Sequence, residues 1–192
     1  MMKTAIFLIL AALAMAPELT RASEWNLDSL MHALAAVRSD HARFTEIKSI
    51  AMLDKPVESS GELYYVAPSH LEKRTLKPRP ESLTVDKDSL IMERNGQMHR
   101  LQLQKYPEIA AFIDSIRGTL SGDRDALEKN YRASLTGTPD QWMLILLPVE
   151  PKMQKVARQI RIKGERDALS SIEILQADGD SSVMTIERLT KP

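Results

Sequence analysis

The chain has 192 residues, 43% of them hydrophobic, and its 26 basic and 26 acidic side chains give a formal net charge of zero. That balance excludes the electrostatic footprint of a nucleic-acid binder, and 5% aromatics leave few platforms on which bases could stack. No cysteine is present, which excludes a disulfide framework and a lipobox and fits a bacterial periplasm better than a small eukaryotic secreted domain.

Lys3 precedes an unbroken apolar run, AIFLILAALAMA at 5–16. The run is shorter than the ~20 residues of a membrane span and reads as the h-region of a cleaved signal peptide. Cleavage after Ala22, with Thr20 and Ala22 as the small residues, makes residues 1–22 the signal peptide and Ser23 the mature start. Residues 23–192 then form one domain of 170 residues with a formal net charge of −1. That is long enough for its own core.

In 25–38 (WNLDSLMHALAAVR), Leu27, Leu30, Met31, Leu34 and Val37 recur at helical spacing, with Asn26 placed to cap. The period then changes to two. Residues 41–53, 60–67, 70–77, 81–86, 88–94 and 97–104 read as strands, separated by turn-formers that include Pro68 and Asn95-Gly96. Residues 106–117 return to helical spacing, placing Ile109, Phe112, Ile113 and Ile116 on one face. A second short helix is expected over 121–131, with Ser121 and Asp123 as caps. Strands resume at 131–136, 141–147, 156–163, 169–176 and 182–189. In QWMLILL (141–147) both faces are apolar, as in a strand covered on both sides.

The fold class is therefore α+β: a mainly antiparallel sheet of about ten or eleven strands. Sheets of that size curl. Three short helices cannot cover both faces but can cover the concave one, giving an unclosed half-barrel with a helical lid.

Catalytic and metal signatures are lacking. His32, His41, His70 and His99 share no metal-ligand spacing, and Asp178-Gly179-Asp180 reads as a hairpin turn and not as a calcium loop. There is no GxSxG, SxxK or Gly-rich phosphate loop. No cofactor, metal or enzymatic activity is expected. Lys73, Arg74, Lys77 and Arg79 form a basic cluster. It is either a solvated, aggregation-resistant surface or a polar rim meeting anionic groups, with Lys73, Arg74 and Lys77 the candidates.

The runs FTEIKSIAML (44–53) and Gly61-Glu62-Leu63-Tyr64, then Pro68, Leu71 and ESLTVDKDSL (81–90), with the order helix, meander, helices, strands, resemble the LolA family of periplasmic lipoprotein carriers. The resemblance extends over about 25–190. LSGDRDALEKNY (120–131) and GTPDQWMLILLP (137–148) are more similar to divergent LolA relatives, often encoded beside lipid or polyene exporters. The resemblance implies an unclosed barrel whose apolar concave face accepts acyl chains. It also implies a monomeric carrier in the periplasm of a Gram-negative bacterium, with acylated lipid or lipoprotein cargo, an inner-membrane exporter and an outer-membrane acceptor as partners. The alternative is a lipid-sensing or adaptor protein beside a lipid, glycolipid or polyene exporter, using the same cavity without delivery. In LolA proper an Arg that serves cargo transfer precedes the proline matching Pro68. Here that residue is Ala67, with Arg74 the nearby substitute, so a glycolipid or polyene lipid joins lipoprotein as candidate cargo.

Alternation along the apolar strands nominates Phe44, Leu63, Tyr65, Leu83, Val85, Leu90, Trp142, Leu144 and Leu146 for the cavity wall, against ordinary core packing. Ile109, Phe112, Ile113 and Ile116 are nominated for the lid.

Overall fold

The computed structural model describes residues 25–189, so the expected signal peptide lies outside the described residues. The elements in chain order are α1 (Leu27–Ala35), β1 (Ser39–Ser49), β2 (Val57–Val66), β3 (His70–Lys77), β4 (Glu81–Asp86), β5 (Ser89–Arg94) and β6 (Gln97–Gln102). A 3₁₀ turn (Leu103–Lys105), α2 (Pro107–Ser121) and α3 (Arg124–Asn130) lead into β7 (Tyr131–Thr138) and β8 (Gln141–Pro148). Short α4 (Pro151–Gln154), β9 (Ala157–Glu165), β10 (Ala168–Gln176) and β11 (Ser181–Arg188) complete the fold.

The eleven strands form one antiparallel sheet in the order β6-β5-β4-β3-β2-β1-β11-β10-β9-β8-β7. Two meanders meet where β1 pairs with β11, Phe44 opposite Ile186. The sheet is not closed, and β6 and β7 are its two edges. The chain therefore leaves at one edge and re-enters at the other. A flat sheet this wide would measure ~48 Å between its edge strands, at ~4.8 Å per strand. Laid end to end, the 22 helical residues of α2 and α3 would reach at most ~33 Å. Curling brings the edges within reach of that connection and sends α2 across the concave face.

Local signals explain the helix ends. Asn26 Oδ1 accepts from Ser29 N at 3.0 Å to start α1, and Asp123 Oδ1 accepts from Ala126 N at 2.9 Å to start α3. Pro107 opens α2 at a position that needs no donor. The helix runs four residues beyond the expected 117 and stops at Gly122, which is left-handed at φ 68°. Asp123 N reaches back to Gly118 O at 2.8 Å, a Schellman-type end. The expected strand at 41–53 stops at Ser49, because 50–53 make a turn closed by Leu53 N to Ile50 O.

Helices fill the concave face unevenly. Over β7–β9, α1 and α3 pack Leu30, Met31, Leu34 and Leu127 on Trp142, Leu144, Leu146, Ile160 and Ile162, all buried. Near the other edge, Val85, Leu90, Leu103 and Ile113 form a smaller cluster. Phe112 of α2 packs against both. The expectation that QWMLILL is covered on both faces is corrected. Trp142, Leu144 and Leu146 are sealed under helices, but Met143 and Ile145 on the convex face are only half-buried and Leu147 is 39% exposed.

Gly122 also sets the seat of α2 on α1, since a Cβ there would fall 2.1 Å from Met31 O. Gly96 has a similar φ of 72° in the β5–β6 turn but open space around it. Gly96→Ala should therefore cost about 1 kcal/mol of backbone strain. Gly122→Ala should cost at least 2 kcal/mol more, because it adds an overpacked contact. Urea unfolding midpoints of the two variants check this difference.

Candidate functional site

Between the filled zones lies a cavity of about 400 Å³. Its floor is the inward phase of the middle strands: Ala42 on β1, Leu63 and Tyr65 on β2, Leu71 on β3, and Leu83 and Val85 on β4. From the other meander come Leu169, Ile172 and Ile174 on β10 and Met184 and Ile186 on β11. These residues share one face because antiparallel partners lie on the same side. Ala42 pairs with Leu63, Leu63 with Lys73, Lys73 with Leu83, and Ile172 with Met184. The roof is Phe112, Ile113, Ile116 and Leu120 of α2, with Leu34 and Val37 at the end of α1.

Apart from Glu72, the charged wall residues fall into two groups, one around Asp40 and one around Glu46 and Lys48. Asp40 and Lys48 both line the cavity, eight residues and therefore ~27 Å apart along β1. At the first end, Arg188 Nε donates to Asp40 Oδ2 at 2.8 Å and Arg188 Nη1 to Asp167 Oδ2 at 3.1 Å. Beside them the Tyr65 hydroxyl is buried with no hydrogen-bond partner among the described residues. Burial pushes its pKa up, partly offset by the charge of Arg38. At the other end Glu46 is 4% exposed. Its Oε1 accepts from Ser182 Oγ at 2.7 Å, and its Oε2 accepts from Lys73 Nζ. Lys48 Nζ stands 3.6 Å from Oε1. Burial alone would raise the Glu46 pKa. The Lys73 and Ser182 hydrogen bonds and the two lysine charges outweigh it and hold the carboxyl below its ordinary range.

Of the residues nominated from sequence, Leu63, Tyr65, Leu83, Val85, Phe112, Ile113 and Ile116 are brought together around this cavity. The others lie elsewhere. Trp142, Leu144 and Leu146 point inward but are capped by α1 and α3 in the main core, and Leu90 belongs to the smaller one. Phe44 is also inward, yet Lys73 Nζ sits 4.8 Å over its ring and it is 2% exposed. Ile109 is in the first turn of α2 and exposed. The basic trio divides as well. Lys73 lines the cavity, whereas Arg74 lies on the convex face, 4.8 Å over the Tyr64 ring and paired with Glu72. Lys77 pairs with Ser60 after a register shift that leaves Leu76 without an opposite residue, so it does not share the face of Lys73. The arginine whose backbone adjoins Ala67 is Arg38, whose carbonyl accepts from Ala67 N at 2.9 Å.

Sequence reasoning missed the β10 and β11 wall and the charged residues Glu46, Lys48, Asp40 and Arg188. A signal existed for Glu46, which is in phase with the inward Ala42 and Phe44 in ARFTEIK. Among the described residues, no three His, Asp or Glu side chains converge to hold a metal ion. No helix there is long and apolar enough to cross a membrane.

A family described as outer membrane lipoprotein carrier protein LolA-like matches residues 19–187. The chain belongs to this LolA-like family. Similar solved structures include a LolA superfamily protein from Nitrosomonas europaea, 11% identical, with 88% of this chain and 96% of that chain covered and a TM-score of 0.46. Another is a DUF1329 family protein from Desulfovibrio piger, 10% identical, with coverages of 84% and 88% and a TM-score of 0.47. The Mycobacterium tuberculosis lipoprotein LppX is 12% identical, with coverages of 83% and 90% and a TM-score of 0.45. Among curated protein sequences none matches this chain.

The Glu46–Lys73 pair gives this LolA-like chain a testable pH dependence. A carboxyl with a depressed native pKa contributes stability above its unfolded value, and the contribution is lost as pH falls through the native value. Lys73→Gln should therefore cost about 2–4 kcal/mol at pH 7, where the Glu46 charge stays buried without its main partner. The deficit should shrink as pH falls, because burial without Lys73 lets Glu46 take up a proton more readily in the variant while the native pair loses its own contribution in acid. Glu46→Gln combined with Lys73→Gln should recover part of the loss. Denaturant unfolding at pH 7 and pH 3.5 checks both statements.

Proposed function

We propose that this chain is a periplasmic carrier that shields the acyl chains of a lipidated cargo during transfer towards the outer membrane. The observation that carries the reading is the apolar trough between α2 and the middle strands, unfilled by the protein's own side chains and walled by Leu63, Leu83, Ile172, Met184 and Ile186. Its volume of about 400 Å³ falls within the roughly 300–1,000 Å³ of small-molecule sites. Each methylene sheltered from water contributes ~0.8 kcal/mol, so a dozen offset the cost of keeping an acyl chain in an aqueous compartment by ~10 kcal/mol. Membership of the LolA-like family supports the same reading. The task is binding and release, and it requires no catalytic group.

Native mass spectrometry of the protein purified from the periplasm tests the proposal. The expected result is an acylated species bound, or taken up on adding detergent-solubilised lipid. Neither bound lipid nor uptake would contradict it. Ile116→Glu puts a carboxylate on the roof of the trough and should weaken uptake by about tenfold or more, the cost of facing a charge with hydrocarbon. Near-UV circular dichroism should show the fold unchanged, since Ile116 belongs to neither core cluster.

A further inference from the structure

Resting on that carrier reading, we propose that the Glu46–Lys48–Lys73 end of the trough is a headgroup subsite, which selects amphiphiles whose head carries a single anion, a carboxylate or a phosphate. An apolar trough alone would accept any chain and be indifferent to its head. This one is electrically polar along its length. Glu46, Lys48 and Lys73 sum to one positive charge at one end, whereas at the other Asp40 and Asp167 are paired with Arg188 and the Arg38 charge also reaches Tyr65, leaving no net positive charge. Glu72, also at the wall, is neutralised by Arg74.

The positive end has unused donors. An ammonium carries three N–H groups. Among the described residues Lys73 Nζ donates only to Glu46 and otherwise faces the Phe44 ring, and Lys48 Nζ makes no hydrogen bond. Glu46 is the opposite case, with both oxygens engaged by Ser182, Lys73 and Ser59. It fixes Lys73 over the trough without consuming the positive surplus. Lys48 is half-exposed, so an anionic head can settle between the two ammonium groups while remaining hydrated. Its chain then runs down the apolar floor towards Tyr65. At the Asp40–Asp167 end Arg188 already directs Nε, Nη1 and Nη2 to those two residues, so the same head finds fewer donors there and the trough also sets the direction in which the chain lies.

The test is displacement of the neutral fluorescent probe N-phenyl-1-naphthylamine at pH 8, using twelve-carbon competitors below their micelle concentrations. Dodecanoate and dodecyl phosphate should displace it at about tenfold lower concentration than dodecanol, and dodecyltrimethylammonium should be no better than dodecanol. Lys48→Glu should abolish the preference for anions and Glu46→Gln should widen it, with circular dichroism confirming the fold of each. Inorganic phosphate alone should displace neither the probe nor dodecanoate. Probe binding with dodecanol equal to dodecanoate, or a preference unchanged in Lys48→Glu, would overturn the subsite and leave the carrier reading standing. Competition by inorganic phosphate as effective as by dodecyl phosphate would make this a free-anion site and overturn it too. Failure of the probe to bind at all would bring down both.

Discussion

The structure depends on one topological constraint: a chain that leaves an eleven-strand sheet at β6 must re-enter it at β7, on the opposite edge. The connection is largely helical, so it has to lie across the sheet, and its reach of ~33 Å demands that the sheet curl. Curling creates a concave face, and α2 crosses that face as a beam resting at two points. Phe112 touches both supports, the large core over β7–β9 and the small one over β4 and β5. What lies beneath the span between them is left to be filled by something else.

Magnitudes show why that space cannot be a defect of packing. A sealed void of about 400 Å³ would cost about 10 kcal/mol at ~24 cal/mol per Å³, as much as the whole stability of a typical domain. The trough instead reaches solvent past Lys48 and Asp167, both close to half-exposed, so water or a guest can occupy it. Its charged ends keep their own hydrogen bonds, which removes the penalty of stranding a carboxylate such as Glu46 in hydrocarbon. The middle remains apolar, where each sheltered methylene gains ~0.8 kcal/mol. The concave surface is thus divided along the sheet: β7–β9 for the main core, β1–β4 and β10–β11 for the trough.

Most of the strands and the order of the elements were legible in the sequence. Alternation and turn-formers are local, and at Asn95-Gly96 both residues have the positive φ that a two-residue hairpin requires. The inward phase was legible too, since Leu63, Tyr65, Leu83 and Val85 all face the trough. What alternation cannot tell is which inward residues a helix covers. Leu144 and Ile172 look alike in sequence, but Leu144 lies under the helix-packed core and Ile172 lines open space. The difference comes from the pairing of β1 with β11, which joins strands more than 130 residues apart and puts β10 and β11 at the centre of the sheet. The register shift at Leu76, which separates Lys77 from Lys73, is likewise a tertiary fact with no local signature.

The proposed carrier role requires acyl chains to lie between α2 and the middle strands. The most direct measurement is an isotope-filtered NOE experiment, with protonated dodecanoate bound to deuterated protein carrying protonated Ile and Leu methyl groups. The expected contacts run from the chain methylenes to Leu63, Ile116, Ile172 and Ile186, with none to Leu144, Leu146 or Ile160 in the filled half. Contacts confined to convex-face methyls such as Ile47 or Leu147, or to the filled half, would contradict it.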